Sequence, residues 1–189
     1  MDKRIYTFTG KTIDPFDPDP NEIDVVDIAH ALSFIPRFNG HTKKFISVAQ
    51  HSLFVSSHCR PEEALIGLLH DASEAYINDI ATPIKSQSEF AFYRTMEDRL
   101  MAAIFQRYGL QWEGVLPKSV READAMSLAI EAHRYLNNPH KHEWIQSLPT
   151  YPESITYDNF TSTEAEDRFL TRFSDLHMNL PIKEQLGRL

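Results

Sequence analysis

Apolar residues recur along most of this chain with the period of an α-helix. Ile28, Leu32 and Ile35 share one face of a segment that starts after Asp24, with Asp27 three residues on in the position of a capping box. Pro36, Asn39 and Gly40 close that segment. A second helix is predicted over 46–59 with Ser47 as its cap. Pro61, followed by Glu62 and Glu63, opens a third that the pattern carries unbroken to Tyr76. Residues 77–87 read as a polar loop. Phe92, Met96, Leu100, Ile104 and Tyr108 predict a long helix over 88–108, stopped by Gly109. A fifth helix follows Pro117, runs to Leu136 and ends at Asn137-Asn138-Pro139. A short helix near 141–148 and a last one over 162–176, with Ala165, Phe169 and Phe173 inward, complete the reading.

The first 23 residues depart from that period. Tyr6, Phe8 and Thr12 predict a short strand or turn around Gly10, and the proline-rich run 14–20 a structured loop. There is no alternation of strands with helices and no repeat. The expected fold is therefore all-α, a helical bundle forming one domain over 1–189 with a short extended segment in front.

Polar groups on the apolar faces carry the chemical signal. His51 sits between Val48 and Val55 on the second helix. On the third, Ile66, His70 and Glu74 form one stripe and Gly67, Asp71 and Ala75 the next. On the fifth, Asp124 lies between Val120 and Leu128, where a core residue belongs. Each has an ordinary explanation alone: a hydrogen-bonded core histidine for His51, a carboxylate orienting His70 for Asp71, an ion pair with Arg121 for Asp124. Together, imidazoles and carboxylates turned inward from separate helices suit a shared cation, since each is costly to bury unpartnered. A divalent ion there lowers the pKa of bound water and polarises a phosphoryl oxygen. Arg37 and Lys85 are candidate anion-binding groups set against the alternative of solvated surface charges. Glu74 and Asp79 are candidate proton carriers, Glu74 set against the alternative of an exposed helix carboxylate. Lys43, Lys44 and Arg94 are further basic groups within range of such a cavity. His30 and His41 are candidates for its entrance, and Tyr76, Phe38 or Trp112 for stacking on a base. His140 and His142 read as a surface pair, and His58, His133 and His177 as structural or exposed.

Composition narrows the partners. The net charge is -8, from 27 acidic and 19 basic residues, which repels long nucleic acids but admits a small anion at a local site. One cysteine, Cys59, gives no disulfide framework. No signal-length apolar stretch follows the N-terminal charges and no run approaches about 18 apolar residues, so the expectation is a cytoplasmic protein without membrane association.

The same residues resemble the HD phosphohydrolase superfamily, whose pattern H...HD...D reads here as His51, His70-Asp71 and Asp124. The resemblance is closest to its YfbR- and YfdR-like nucleotidases, a branch that includes phage dATP triphosphohydrolases. It is carried by Asp27-Ile-Ala-His-Ala-Leu-Ser33, Arg37-Phe-Asn-Gly-His41, Ser47-Val-Ala-Gln-His-Ser52, Leu69-His-Asp-Ala-Ser-Glu-Ala-Tyr76 and Asp79-Ile-Ala-Thr-Pro-Ile-Lys85. The interval from Asp71 to Asp124 is shorter than in the monophosphatases of the branch, which bears on pocket shape and not on the ligands.

The resemblance implies an HD-type bundle with its metal-binding core over about 24–137 and a C-terminal helix over 162–176. It implies a divalent ion (Co, Mn, Zn, Fe, Ni or Mg) on His51, His70, Asp71 and Asp124, and roles in catalysis for Glu74, Asp79 and Arg37. Arg37, Lys85 and Asp79 would contact substrate. The implied reaction is hydrolysis of the 5'-phosphoester of a deoxynucleotide, either dATP to deoxyadenosine and triphosphate or a dNMP to deoxynucleoside and phosphate. A homo-oligomer in the cytoplasm is implied as well, the host cytoplasm for a phage protein. An HD-type phosphodiesterase of cyclic or linear nucleotides, a non-catalytic nucleotide- or metal-binding regulator, and a purely structural helical protein are the alternatives.

Overall fold

The structure, a computed structural model, describes residues 3–178. Strands β1 (Ile5–Tyr6) and β2 (Thr12–Ile13) pair antiparallel, Ile5 opposite Ile13, around a turn in which Gly10 adopts φ 82°. Ile13 and Ile23 are fully buried and tie this arm to the helices. Asp27 is part of the same tie. It accepts hydrogen bonds from the Thr9 N–H at 2.6 Å and the Thr9 hydroxyl at 2.9 Å, so it serves the arm and not the capping box that its spacing predicts.

The rest is helical, as the period predicts. Asp24 caps α1 (Val25–Phe34) by accepting from the Val26 N–H, and Ile28 and Leu32 bury. Ser47 caps α2 (Val48–His58) through the Gln50 N–H at 3.1 Å. Between them, Pro36 and Ser47 form an antiparallel bridge, with the Arg37 N–H on the Ile46 carbonyl and the Val48 N–H on that of Ile35. This short pairing sets Arg37 beside the start of α2. Its continuation, Phe38-Asn39-Gly40, has positive φ at each residue (51°, 51° and 79°), which is costly for a phenylalanine.

The predicted third helix is broken. It forms α3 (Ala64–Leu69) and α4 (Glu74–Ile77), with a tight turn over 70–73. His70 Nδ1 lies 2.9 Å from the Gly67 carbonyl, the acceptor that an unbroken helix would offer to the Asp71 N–H. The chain tightens into i→i−3 bonds, Ala72 N–H to Leu69 and Glu74 N–H to Asp71. The predicted loop 77–87 contains a further turn, α5 (Thr82–Lys85).

The long helix α6 (Ala91–Arg107) begins later than its spacing predicts, and Phe92 is left exposed while Leu100, Ile104 and Tyr108 bury. α7 (Lys118–Tyr135), α8 (Glu143–Ser147) and α9 (Ser162–Met178) follow, the last with Ala165, Phe169 and Phe173 inward. α2 lies in the middle, packed by α1, α3, α7 and α9. Gly67 permits the close approach of α3 to α2: a Cβ there would meet Cys59 Sγ at 2.9 Å and the Ser56 Cα at 3.2 Å. No helix among the described residues is long and apolar enough to cross a membrane.

Candidate metal centre and adjoining cleft

His51 and His70 face each other across α2 and the end of α3, Nε2 to Nε2 at 3.2 Å. Their other nitrogens are engaged. His51 Nδ1 lies 2.9 Å from Glu131 Oε1 and 3.0 Å from the Ser127 hydroxyl, and His70 Nδ1 lies on the Gly67 carbonyl. A carbonyl and a carboxylate accept only, so both Nδ1 atoms donate and both Nε2 lone pairs point into one gap. Asp124 Oδ1 lies 3.2 Å from His51 Nε2. Asp71 Oδ2 lies 3.1 Å from His70 Nε2 and 3.6 Å from His51 Nε2. His51, His70 and Asp124 form a group able to hold a metal ion, and the donor set of two imidazoles with carboxylate fits a divalent transition metal. The turn over 70–73 lets neighbouring residues 70 and 71 both serve this gap.

The electrostatics agree with a shared cation. Burial and the nearby Arg37 disfavour a charged His51, but Glu131 and Asp124 outweigh them and lift its pKa to about 9. Burial acts against an ionised Asp71 or Asp124 as well, yet the two imidazoles hold both carboxyls below their ordinary value.

Glu131 is the centre's main support, and the sequence reading passes over it. It is fully buried and accepts from His51, the Ser127 hydroxyl, Arg37 Nε at 3.0 Å and the Tyr157 hydroxyl. Burial opposes its charge, but Arg37 and His51 hold its pKa down to about 2. Asp124, Ser127 and Glu131 lie on one stripe of α7, the signal that would have found it.

The other candidates divide. Arg37 is mostly buried, shares Glu131 with His51 and lines a cleft of about 650 Å³ together with His41, Asp79 and Phe38. Glu74 is 5% exposed, with Oε2 buried and without a hydrogen-bond partner, so it is no surface carboxylate. Burial, then Asp71 and Asp79, push its pKa up; burial and Asp71 do the same to Asp79, against Arg37 and Lys85. Lys85 pairs with Glu97 at 2.8 Å and is absent from the cleft wall, because α5 turns it toward α6. Arg94 donates to backbone carbonyls of α5 and the following turn. His30 is not at the entrance; it stacks on Phe8 and pairs with Glu166 on α9. Of the three stacking candidates Phe38 alone lines the cleft. Tyr76 is buried, and Trp112 donates to Asp98 and packs on Phe105. Trp144, which the sequence reading does not consider, does line it.

No protein-family model matches the chain. It is similar to a protein of Rhodobacter capsulatus, with 37% identity over 139 residues that cover 67% of this chain and 69% of the relative. It is also similar to the protein YfdR of Escherichia coli, with 36% identity over 174 residues that cover 91% of this chain and 94% of the relative. Both relatives carry the word uncharacterized in their names, so neither name states an activity. Identity at that level over nearly the whole of both chains places this protein in the same family as YfdR of Escherichia coli.

Proposed function

We propose that this protein is a metal-dependent phosphohydrolase of the HD type that cleaves the 5'-phosphoester of a deoxynucleotide. The observation that carries the reading is the pair of Nε2 atoms 3.2 Å apart, with Asp124 and Asp71 beside them and a cleft of about 650 Å³ lined by Arg37. Two imidazole lone pairs facing each other at that distance repel, and a cation held between them and the carboxylates relieves the repulsion. His51, His70, Asp71 and Asp124 would hold a divalent ion, which supplies Lewis acidity and a water ionised near neutral pH.

The protein's own groups then have definite tasks. Glu131 keeps His51 in the tautomer with Nε2 free and holds the Arg37 guanidinium by its Nε. Arg37 lines the cleft, where its guanidinium would balance charge on the non-bridging phosphate oxygens. Glu74, whose carboxyl is held well above its ordinary pKa by burial, Asp71 and Asp79, would be the group that gives a proton to the leaving 5'-oxygen. Asp79, on the cleft wall, orients the sugar or the attacking water. Lys85 stands further out, paired with Glu97, where its charge also acts on Asp71.

The test is a chromatographic product assay over dNMPs, dNTPs and NTPs with Mn²⁺, Co²⁺, Zn²⁺ and Mg²⁺. The expected result is a metal-dependent release of nucleoside, with phosphate or triphosphate as the second product. Binding of nucleotide with no turnover under any metal would leave a regulatory module. Release of nucleotide monophosphates from a dinucleotide would leave a phosphodiesterase.

A further inference from the structure

The protein has two tryptophans, and the fold uses them differently. Trp112 sits edge-on to Phe105 and donates its indole N–H to Asp98 Oδ1 at 2.6 Å, so its ring and its polar atom are both engaged. Trp144, on α8, keeps 51% of its surface exposed and lines the cleft beside Leu128 and Leu136. A large ring left half open on a concave wall forgoes the burial that normally fixes such a side chain.

The cleft lining combines two chemistries. Arg37 and Asp79 mark the part next to the metal centre, since Arg37 shares Glu131 with His51. Trp144, Leu128 and Leu136 contribute large apolar side chains to the same lining. Among the described residues lining the cleft, Arg37 is the one Lys or Arg side chain, so the lining offers a single cationic contact for phosphate. The apolar side chains suit a flat, weakly polar ring, and Asn39 and His41 add hydrogen-bonding groups to the lining. The volume of about 650 Å³ lies within the range of small-molecule sites and has room for a bicyclic ring.

We propose that Trp144 is the nucleobase-stacking wall of the cleft and that it holds purines more tightly than pyrimidines. The proposal rests on the reading of the centre as a nucleotide phosphohydrolase. A purine covers more of an indole face than a pyrimidine does, and stacking strengthens with overlap. The phosphate end of the ligand lies at Arg37 and the base at Trp144. Base selectivity therefore comes from α8, a helix that contributes no metal ligand.

The experiment uses the Mn²⁺-loaded protein and non-hydrolysable 5'-phosphonate analogues of deoxyadenosine, of thymidine and of base-free 2-deoxyribose. Binding is read by calorimetry and by tryptophan emission, on the wild type, Trp144→Ala and Trp144→Phe, with metal content as a check on folding. The adenine analogue should quench wild-type emission and bind more tightly than the thymine analogue. Trp144→Ala should weaken the adenine analogue about tenfold and leave the base-free one unchanged. Trp144→Phe should keep its affinity and lose the quench. Equal affinity of wild type and Trp144→Ala for the adenine analogue, or equal binding of adenine and base-free analogues by the wild type, overturns the proposal. If deoxynucleotides are still hydrolysed in that case, the phosphohydrolase reading survives it. If no analogue binds and nothing is cleaved, both fall.

Discussion

His51 and Glu131 meet at 2.9 Å between α2 and α7, the imidazole Nδ1 donating to a carboxylate that no solvent reaches. The contact fixes which ring nitrogen is free, and its other carboxylate oxygen fixes Arg37. Replacing Glu131 by Gln keeps the shape and removes the charge. It should weaken metal affinity about 10- to 100-fold, measured by competition with a chromogenic chelator. Unchanged affinity would show that the tautomer is set elsewhere.

Asp71 and Arg37 should fail in different ways. Asp71→Ala removes a carboxylate 3.1 Å from His70 Nε2 and should abolish hydrolysis together with metal uptake. Arg37→Ala should leave metal in place and lower kcat/KM by about 10²- to 10³-fold, the usual cost of one charge-stabilising donor. Metal content measured alongside turnover separates the two. A fully active, metal-free Asp71→Ala protein would falsify the proposed chemistry.

Gly67 spaces the two halves of the centre. A methyl group there meets Cys59 Sγ and the backbone of Ser56, and α3 must back away from α2. Gly67→Ala should destabilise the fold by about 1 to 3 kcal/mol and loosen metal binding, because His70 moves away from His51. Denaturant unfolding with and without metal reads both effects. Full stability with full affinity would mean that the contact relaxes through the Cys59 side chain alone.

The metal-stripped protein should show a pH signature. Against burial and Arg37, Glu131 and Asp124 raise His51 from an ordinary 6.5 to about 9 in the folded state. A raised folded pKa stabilises below the unfolded value and loses that contribution as pH rises through the folded one. Chelator-treated protein should therefore melt at progressively lower temperature between about pH 6.5 and 9. Metal-loaded protein should show a much flatter profile, since the lone pair is then occupied. A level melting curve for the stripped protein across that window would remove Glu131 and Asp124 as the source of the shift.

Much of this arrangement is legible in the sequence because it follows from period and caps. Asp24 and Ser47 fix where α1 and α2 begin, and His51, flanked by Val48 and Val55 at helical spacing, has to face inward. Asp124 is found by the same spacing on α7, although its side chain stays 43% exposed and does not enter the core. The break after Leu69 is not, because residues 68–75 keep a helical pattern and the interruption comes from His70 bonding to the Gly67 carbonyl. The pairing of Lys85 with Glu97 depends on where α5 meets α6, which no local pattern encodes. His30 looks like an entrance residue until α9, 136 positions away, supplies Glu166. Tyr157 gives no signal, since it lies in a segment without period.

That segment, residues 148–161 between α8 and α9, has no regular element, and stretches of this kind ordinarily accept insertions and drift. Here its tyrosine hydroxyl ends on Glu131, one contact removed from an imidazole of the centre. A chimera that borrowed this stretch from a distant relative would inherit every ligand intact. It would nonetheless mistune the imidazole unless a hydroxyl arrived at the same spot, so the irregular connector is bound by the same geometric tolerance as the bundle interior.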